Sequence, residues 1–187
     1  MDTNLEIEFK ILLTATQYEQ IVLDYQKEIK NQYIQTNYYL MHPTLDEYQY
    51  MLRIRKKEGT YELTLKEPRP DGNLETNIPL SKEEANTLLN GGDIKNQITE
   101  KLSTLHISLS DLNTDHSLTT IRSDIIFPIG VLSIDKNTYE NTIDYELEFE
   151  VTDKEKGKLI FLDIIKKYNL SYQQNCPSKI KRLKQLL

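Results

Sequence analysis

Eight stretches of this chain alternate apolar and polar residues one by one. Leu52-Arg53-Ile54-Arg55, Leu63-Thr64-Leu65-Lys66 and Tyr145-Glu146-Leu147-Glu148-Phe149-Glu150 change character at every step, the period of an extended strand whose two faces meet different surroundings. The pattern predicts eight strands, near 4–11, 32–40, 48–57, 59–67, 73–79, 118–127, 130–137 and 143–151. Turn chemistry at Lys57-Glu58-Gly59-Thr60 and from Pro68 to Gly72 joins strands closely enough for hairpins, so sequence neighbours should pair antiparallel. Helical periodicity follows three Ser/Thr-x-x-Glu boxes, Thr16 with Glu19, Ser81 with Glu84 and Thr152 with Glu155, which predicts helices over 16–30, 82–90 and 153–169. Two more are expected at 94–105 and 178–187, with 106–117 irregular. The fold class is α+β.

The polar positions of these strands are largely charged. Glu6, Glu8 and Lys10 share one face of the first strand, while Ile7, Phe9 and Ile11 share the other. One such strand reads most simply as half-solvated. Repetition changes that reading: Arg53 with Arg55, Lys66, Arg122, and Glu146 with Glu148 and Glu150 all continue a charged face. The apolar face then needs covers, which amphipathic helices such as Lys158–Ile165 can supply from outside. Eight antiparallel strands can close into a barrel, and the charged face becomes its lining. Fixed cations grip phosphate oxygens, and clustered carboxylates suit magnesium or manganese. A polyphosphate bound with a divalent metal satisfies both groups.

With 187 residues the chain is expected to form a single domain over 1–187, and no fixed-period repeat or flexible linker interrupts it. Lys and Arg number 23 against 29 Asp and Glu, a net charge of -6, so no global positive field would attract nucleic acid or anionic lipid. Charged residues are 28% of the chain, and no apolar run approaches a membrane span. Met1-Asp2-Thr3-Asn4 lacks the start of a secretory signal, and Cys176 stands alone, so a soluble protein in a reducing cytoplasm is expected.

These residues, in this order, resemble the CYTH family of triphosphate tunnel metalloenzymes. The opening Glu6-Ile7-Glu8-Phe9-Lys10 is similar to the family's Glu-x-Glu-x-Lys signature, and Arg53-Ile54-Arg55, Lys66, Arg122, Asp135, Glu146-Leu147-Glu148 and the late Ser178-Lys179-Ile180-Lys181-Arg182 continue the likeness. The resemblance implies a closed eight-stranded antiparallel β-barrel with helices packed outside, processing triphosphates. It places Lys10, Arg53, Arg55, Lys66, Arg122 and Lys179 or Arg182 on phosphates. Glu6, Glu8, Glu146 and Glu148 would hold Mg2+ or Mn2+, with Asp135 in the acidic group and Glu150 a weaker candidate. At Asn37-Tyr38-Tyr39-Leu40-Met41 the aromatic pair is kept, but Leu40 and Met41 replace the family's Asp and Thr.

The expected activity is metal-dependent hydrolysis of inorganic triphosphate to pyrophosphate and phosphate, one ion bridging the chain and a second positioning water. Adenylate cyclase chemistry of the class IV type, thiamine triphosphate hydrolysis and a non-catalytic polyphosphate or nucleotide sensor remain alternatives. The expected partner is a small-molecule triphosphate, and the expected assembly a monomer or homodimer. His42, His106 and His116 lack metal-ligand spacing and read as solvent or loop positions. Cys176 reads as an inert thiol, Tyr33, Tyr38, Tyr39, Tyr48 and Tyr50 as strand residues, and Gly91-Gly92 as a helix end. Lys181 and Lys184 read as favourable charges in a last helical turn.

Overall fold

The computed structural model describes residues 2–187. Eight strands form: β1 (Asp2–Leu13), β2 (Ile29–Met41), β3 (Met51–Lys57), β4 (Thr60–Arg69), β5 (Gly72–Leu80), β6 (Asn113–Phe127), β7 (Gly130–Tyr139) and β8 (Thr142–Val151). The helices are α1 (Ala15–Asp24), α2 (Pro43–Glu47), α3 (Lys82–Leu89), α4 (Gln97–Thr104), α5 (Lys154–Lys166) and α6 (Lys179–Lys184). The strands are bonded in the order β1-β5-β4-β3-β2-β6-β7-β8 and the ladder closes into an antiparallel barrel, as the alternation predicts.

The chain divides into two compact units. One comprises Gln35–Leu118 with the first residues of β1, and the other Glu6–Ile34 with Thr119–Leu187. In the first, Leu52, Ile54, Leu63 and Leu65 of β3 and β4 are buried against Ala85 and Leu88 of α3 and Ile98 and Leu102 of α4. In the second, Phe9, Ile11, Ile134, Leu147 and Phe149 are buried against Ile21 of α1 and Phe161, Ile164 and Ile165 of α5. In both units the apolar set of each strand faces helices, so the intervening charged positions share the opposite face.

Several boundaries differ from the sequence reading. The box at Thr16 and Glu19 is not used: β1 runs to Leu13, and Thr14 caps α1 reciprocally with Gln17, at 3.2 Å and 2.9 Å. The helix ends at Asp24 rather than near residue 30, and β2 begins at Ile29. Ser81 and Glu84 cap α3 as expected. Before α5 the cap is Asp153, accepting from the Lys156 amide at 3.0 Å, while the Thr152 hydroxyl donates to the Ile129 carbonyl at 3.3 Å. The short α2 was not foreseen; Pro43 starts it and the His42 ring accepts from the Thr44 amide. It delays β3 to Met51, which places Tyr48 and Tyr50 before that strand rather than in it. The stretch 106–117 contains a 3-10 turn, Leu109–Asp111, and the start of β6, so His116 lies on a strand and is half-buried.

Candidate functional site

Each unit carries its own charged cluster. In the second unit the register places Lys10 opposite Glu148, and Glu146 between Leu12 on one side and Asp135 on the other, with Arg122 next beyond Asp135. Asp135 and Glu146 are 0% exposed, and Glu6, Lys10 and Arg182 are also buried. Ionised groups withdrawn from water need partners, and each finds them. The Arg122 guanidinium grips Asp135 with Nε–Oδ1 at 2.7 Å and Nη2–Oδ2 at 2.6 Å, and also reaches Glu148. This is the bidentate fit that a planar fork makes with a carboxylate. Lys10 ion-pairs with Glu8, two residues earlier on the same strand face.

Helix α6 contributes two further cations. Lys179 Nζ lies 2.9 Å from Asp135 Oδ2, 3.2 Å from Glu146 Oε2 and 2.7 Å from Glu148 Oε1. Arg182 directs Nε to Asp144 Oδ2 at 2.7 Å, Nη2 to Glu146 Oε2 at 2.5 Å and Nη1 to the Pro177 carbonyl at 2.6 Å. The Ser178 hydroxyl caps the helix. The approach to α6 is stitched to β1: the Asn175 side chain accepts from the Lys10 amide and donates to the Glu8 carbonyl, both at 2.9 Å. The Cys176 amide donates to the Lys10 carbonyl at 3.1 Å.

Charge states follow from this packing. Burial opposes ionisation of Glu148, but Lys179, Arg122 and Lys10 outweigh it and hold the carboxyl well below its usual range. Burial also opposes charge on Lys179, and the surrounding Glu146, Glu148 and Asp135 overcome it, so the ammonium is firmly protonated. Glu146 yields in this competition, pushed up to about 7 by burial and then by Glu148, against the pull of Lys179 and Arg182. Burial and the Glu146 carboxylate push the Cys176 thiol up to about 12, consistent with an inert thiol rather than a nucleophile.

In the first unit Arg53 and Arg55 stand on β3 and Lys66 on β4, with Lys66 in register with Glu75 of β5. Lys66 ion-pairs with Glu75. Burial would raise the Glu75 carboxyl, but Lys66 and then Arg53 bring it down to about 2. Arg55 Nε donates to Asn37 Oδ1 at 3.2 Å. On the opposite face Glu67 is buried and ion-paired with Lys101, which ties α4 to β4.

The structure thus gathers Glu8, Lys10, Arg122, Asp135, Glu146, Glu148, Lys179 and Arg182 in one unit, and Arg53, Arg55 and Lys66 on one face of the other. Glu150 lies exposed near the end of β8. Glu75, Asp144 and Asn175 were missed. Asp144 and Glu75 had a signal, since each continues a period-two polar face. Asn175 had none, because it acts across 165 residues. Among the described residues no three His, Cys, Asp or Glu side chains form a ready cation cage. The donor chemistry still fits a hard divalent ion: Glu6 and Glu8 on β1 and Glu146 and Glu148 on β8 offer carboxylate oxygens from paired strands, with Lys179 now neutralising part of the set.

Similarity to known proteins agrees with this picture. The family model described as CYTH domain matches residues 4–183. A Bacillus subtilis (strain 168) protein named "Putative triphosphatase YjbK" is 33% identical over 184 residues, covering 97% of this chain and 95% of its own length. A Bacillus halodurans structure named as a "putative adenylate cyclase" superposes with a TM-score of 0.88 at 33% identity, covering 97% of this chain and 98% of that one. The Hippeastrum protein HpAC1, at 19% identity and a TM-score of 0.80 over 97% of this chain and 96% of that chain, shares the fold. No helix among the described residues is long and apolar enough to cross a membrane. The chain belongs to the CYTH domain family.

Proposed function

We propose that the chain is a metal-dependent triphosphatase whose leading substrate is inorganic triphosphate, cleaved to pyrophosphate and phosphate. The observation that carries this reading is the strand face on which Arg122 and Lys10, joined by Lys179 from α6, ion-pair with Asp135, Glu146 and Glu148 around fully buried positions. A core built only for stability gains little from such a set, since apolar residues of similar volume do as well or better. The triphosphatase name of the Bacillus subtilis relative supports it.

Phosphoryl transfer asks a protein mainly for position and charge neutralisation. Lys10, Arg53, Arg55, Lys66 and Arg122 hold phosphate oxygens. Lys179 and Arg182 complete the basic set, and the bonds Arg182 makes to Asp144, Glu146 and Pro177 give it the task of holding α6 against β8. Glu6, Glu8, Glu146 and Glu148, with Asp135 alongside, hold magnesium or manganese, which supplies charge neutralisation and a polarised water when bound. We place the protein in the cytoplasm as a monomer or homodimer, acting on a small molecule rather than nucleic acid or membrane, because a net charge of -6 disfavours both polyanions.

The test measures orthophosphate released from inorganic triphosphate, ATP, GTP and thiamine triphosphate with magnesium or manganese. Fastest release from inorganic triphosphate, abolished by a chelator, is expected; full activity after chelation removes the metal from the mechanism. A second reading, adenylate cyclase, is favoured by the name of the Bacillus halodurans relative. Cyclic AMP and pyrophosphate from ATP, without orthophosphate, would establish it instead. Tight binding with no product at all would make the chain a sensor.

A further inference from the structure

One row on the charged face of β3, β4 and β5 is left unfinished by the protein. Arg53 pairs in register with Thr64, and Thr64 with Asn77, so the three stand side by side on the face that also carries Arg55 and Lys66. Arg53 Nε, Thr64 Oγ1 and Asn77 Oδ1 are each shielded from solvent, and none has a hydrogen-bond partner among the described residues. Arg53 is 7% exposed and Thr64 0%. Buried polar atoms are nearly always satisfied, and an orphan asks for an explanation. Three orphans in adjacent register positions point to one missing ligand rather than three separate defects.

Their chemistry limits what that ligand is. The buried guanidinium repels a cation, and an apolar group would leave all three orphans unserved. Glu75, the nearest carboxylate in the row below, is committed to Lys66. Arg53 Nε–H and Thr64 Oγ–H are donors on residues paired across adjacent strands, which suit one anionic oxygen. Asn77 Oδ1 is an acceptor and needs a hydrogen, since its Nδ2 already points to Glu75 Oε2 at 3.4 Å.

We propose that Arg53, Thr64 and Asn77 form an oxyanion subsite in which one phosphoryl oxygen accepts from Arg53 Nε–H and Thr64 Oγ–H. Asn77 Oδ1 accepts from an adjacent hydrogen-bearing oxygen, a protonated phosphoryl or its water. This adds two uncharged substrate contacts to the charged ones, and it rests on the triphosphatase reading for the identity of the anion.

Thr64→Val keeps the shape and removes the hydroxyl. Since that hydroxyl has no hydrogen-bond partner among the described residues, the thermal midpoint of the ligand-free variant should hold or rise. Calorimetric affinity for inorganic triphosphate, measured in a chelator so that metal plays no part, should fall about tenfold or more, because a hydrogen bond to a charged group is lost. Thr64→Ser should restore it, and Asn77→Leu should weaken binding about threefold, with a small loss of midpoint because the Nδ2 contact to Glu75 goes as well. A Thr64→Val variant with unchanged affinity overturns the subsite, as does one whose midpoint drops and whose defect Ser does not repair. Thr64-dependent binding by a wild-type protein that releases no phosphate leaves the subsite standing and sinks the triphosphatase reading. Phosphate release indifferent to Thr64→Val does the reverse.

Discussion

Arg53 and Arg182 are both buried guanidiniums, yet their surroundings assign them different work. Arg182 spends its donors on Asp144, Glu146 and the Pro177 carbonyl, whereas Arg53 keeps a buried Nε with no acceptor among the described residues. Removing a saturated cation strands its carboxylates; removing an unsaturated one strands little. Arg182→Met should therefore lose about 3 kcal/mol in denaturant unfolding, because Glu146 loses a cation in a fully buried position; unchanged stability would show that Arg182 does not clasp α6. Arg53→Met should hold stability within about 1 kcal/mol, Lys66 still compensating Glu75, while phosphate release from inorganic triphosphate falls roughly a hundredfold, the weight of about 2.7 kcal/mol in the transition state. Similar losses of stability and turnover would make Arg53 a structural residue. Glu6, Glu8, Lys10, Arg53, Arg55, Lys66, Arg122, Glu146 and Glu148 were legible in the sequence, since alternation fixes which side chains share a strand face; Asp135, Lys179 and Arg182 came only through the family resemblance, and Glu75 and Asp144 were missed. Their division of labour was not legible, because it depends on donor geometry that a sequence does not contain.

The strands were legible as elements for the same reason: an antiparallel ladder with helices on one face repeats its pattern every two residues. Helix starts were less so, because Thr14, Thr16, Thr152 and Asp153 are all acceptable caps and the extent of the preceding strand decides among them. The five-residue α2 falls below any detectable periodicity. Packing between elements leaves a subtler trace at Gly157, in the first turns of α5. A Cβ there would lie 2.6 Å from Cγ2 and 2.8 Å from Cγ1 of Val151, at the end of β8. Alanine would favour an isolated helix by up to about 1 kcal/mol, but here it must push α5 away from β8 and the buried Phe161, Ile164 and Ile165 with it. The overpacking term should win, giving a net loss of about 1–2 kcal/mol. Val151→Ala, by removing the clashing methyls, should recover part of the loss in the double variant; additive losses would show that the contact is not the cause.

At the scale of the whole molecule, both units store stability in ionised carboxylates, and this sets the response to acid. In one, Lys66 and Arg53 overcome burial to hold Glu75 at about 2, against an ordinary 4.5. In the other, Lys179 and Arg122 overcome it to hold Glu148 well below its usual range, and hydrogen bonds from Arg182 and Tyr139 lower Asp144. A carboxyl depressed in the folded state binds its proton first in the unfolded chain. Its contribution is complete above the unfolded value and disappears as pH falls through the folded one. For Glu75, whose side chain is 12% exposed, that is up to about 3 kcal/mol lost between about pH 4.5 and pH 2, at about 1.36 kcal/mol per pH unit. Glu146 acts in the opposite sense: raised to about 7 by burial, it stays protonated longer in the folded protein, so stability declines as pH rises from about 4.5 to 7. The two trends meet near pH 5. Thermal midpoints of the metal-free protein should therefore peak there, fall gently toward neutrality and fall steeply below pH 4.5. Glu75→Gln should flatten only the acid limb, because it removes a strongly depressed carboxyl of one unit and leaves Glu146 in the other. A midpoint that stays level from pH 5 to pH 3 would mean that these carboxylates are not held by their cations, and the charged face would lose its account as a preorganised site.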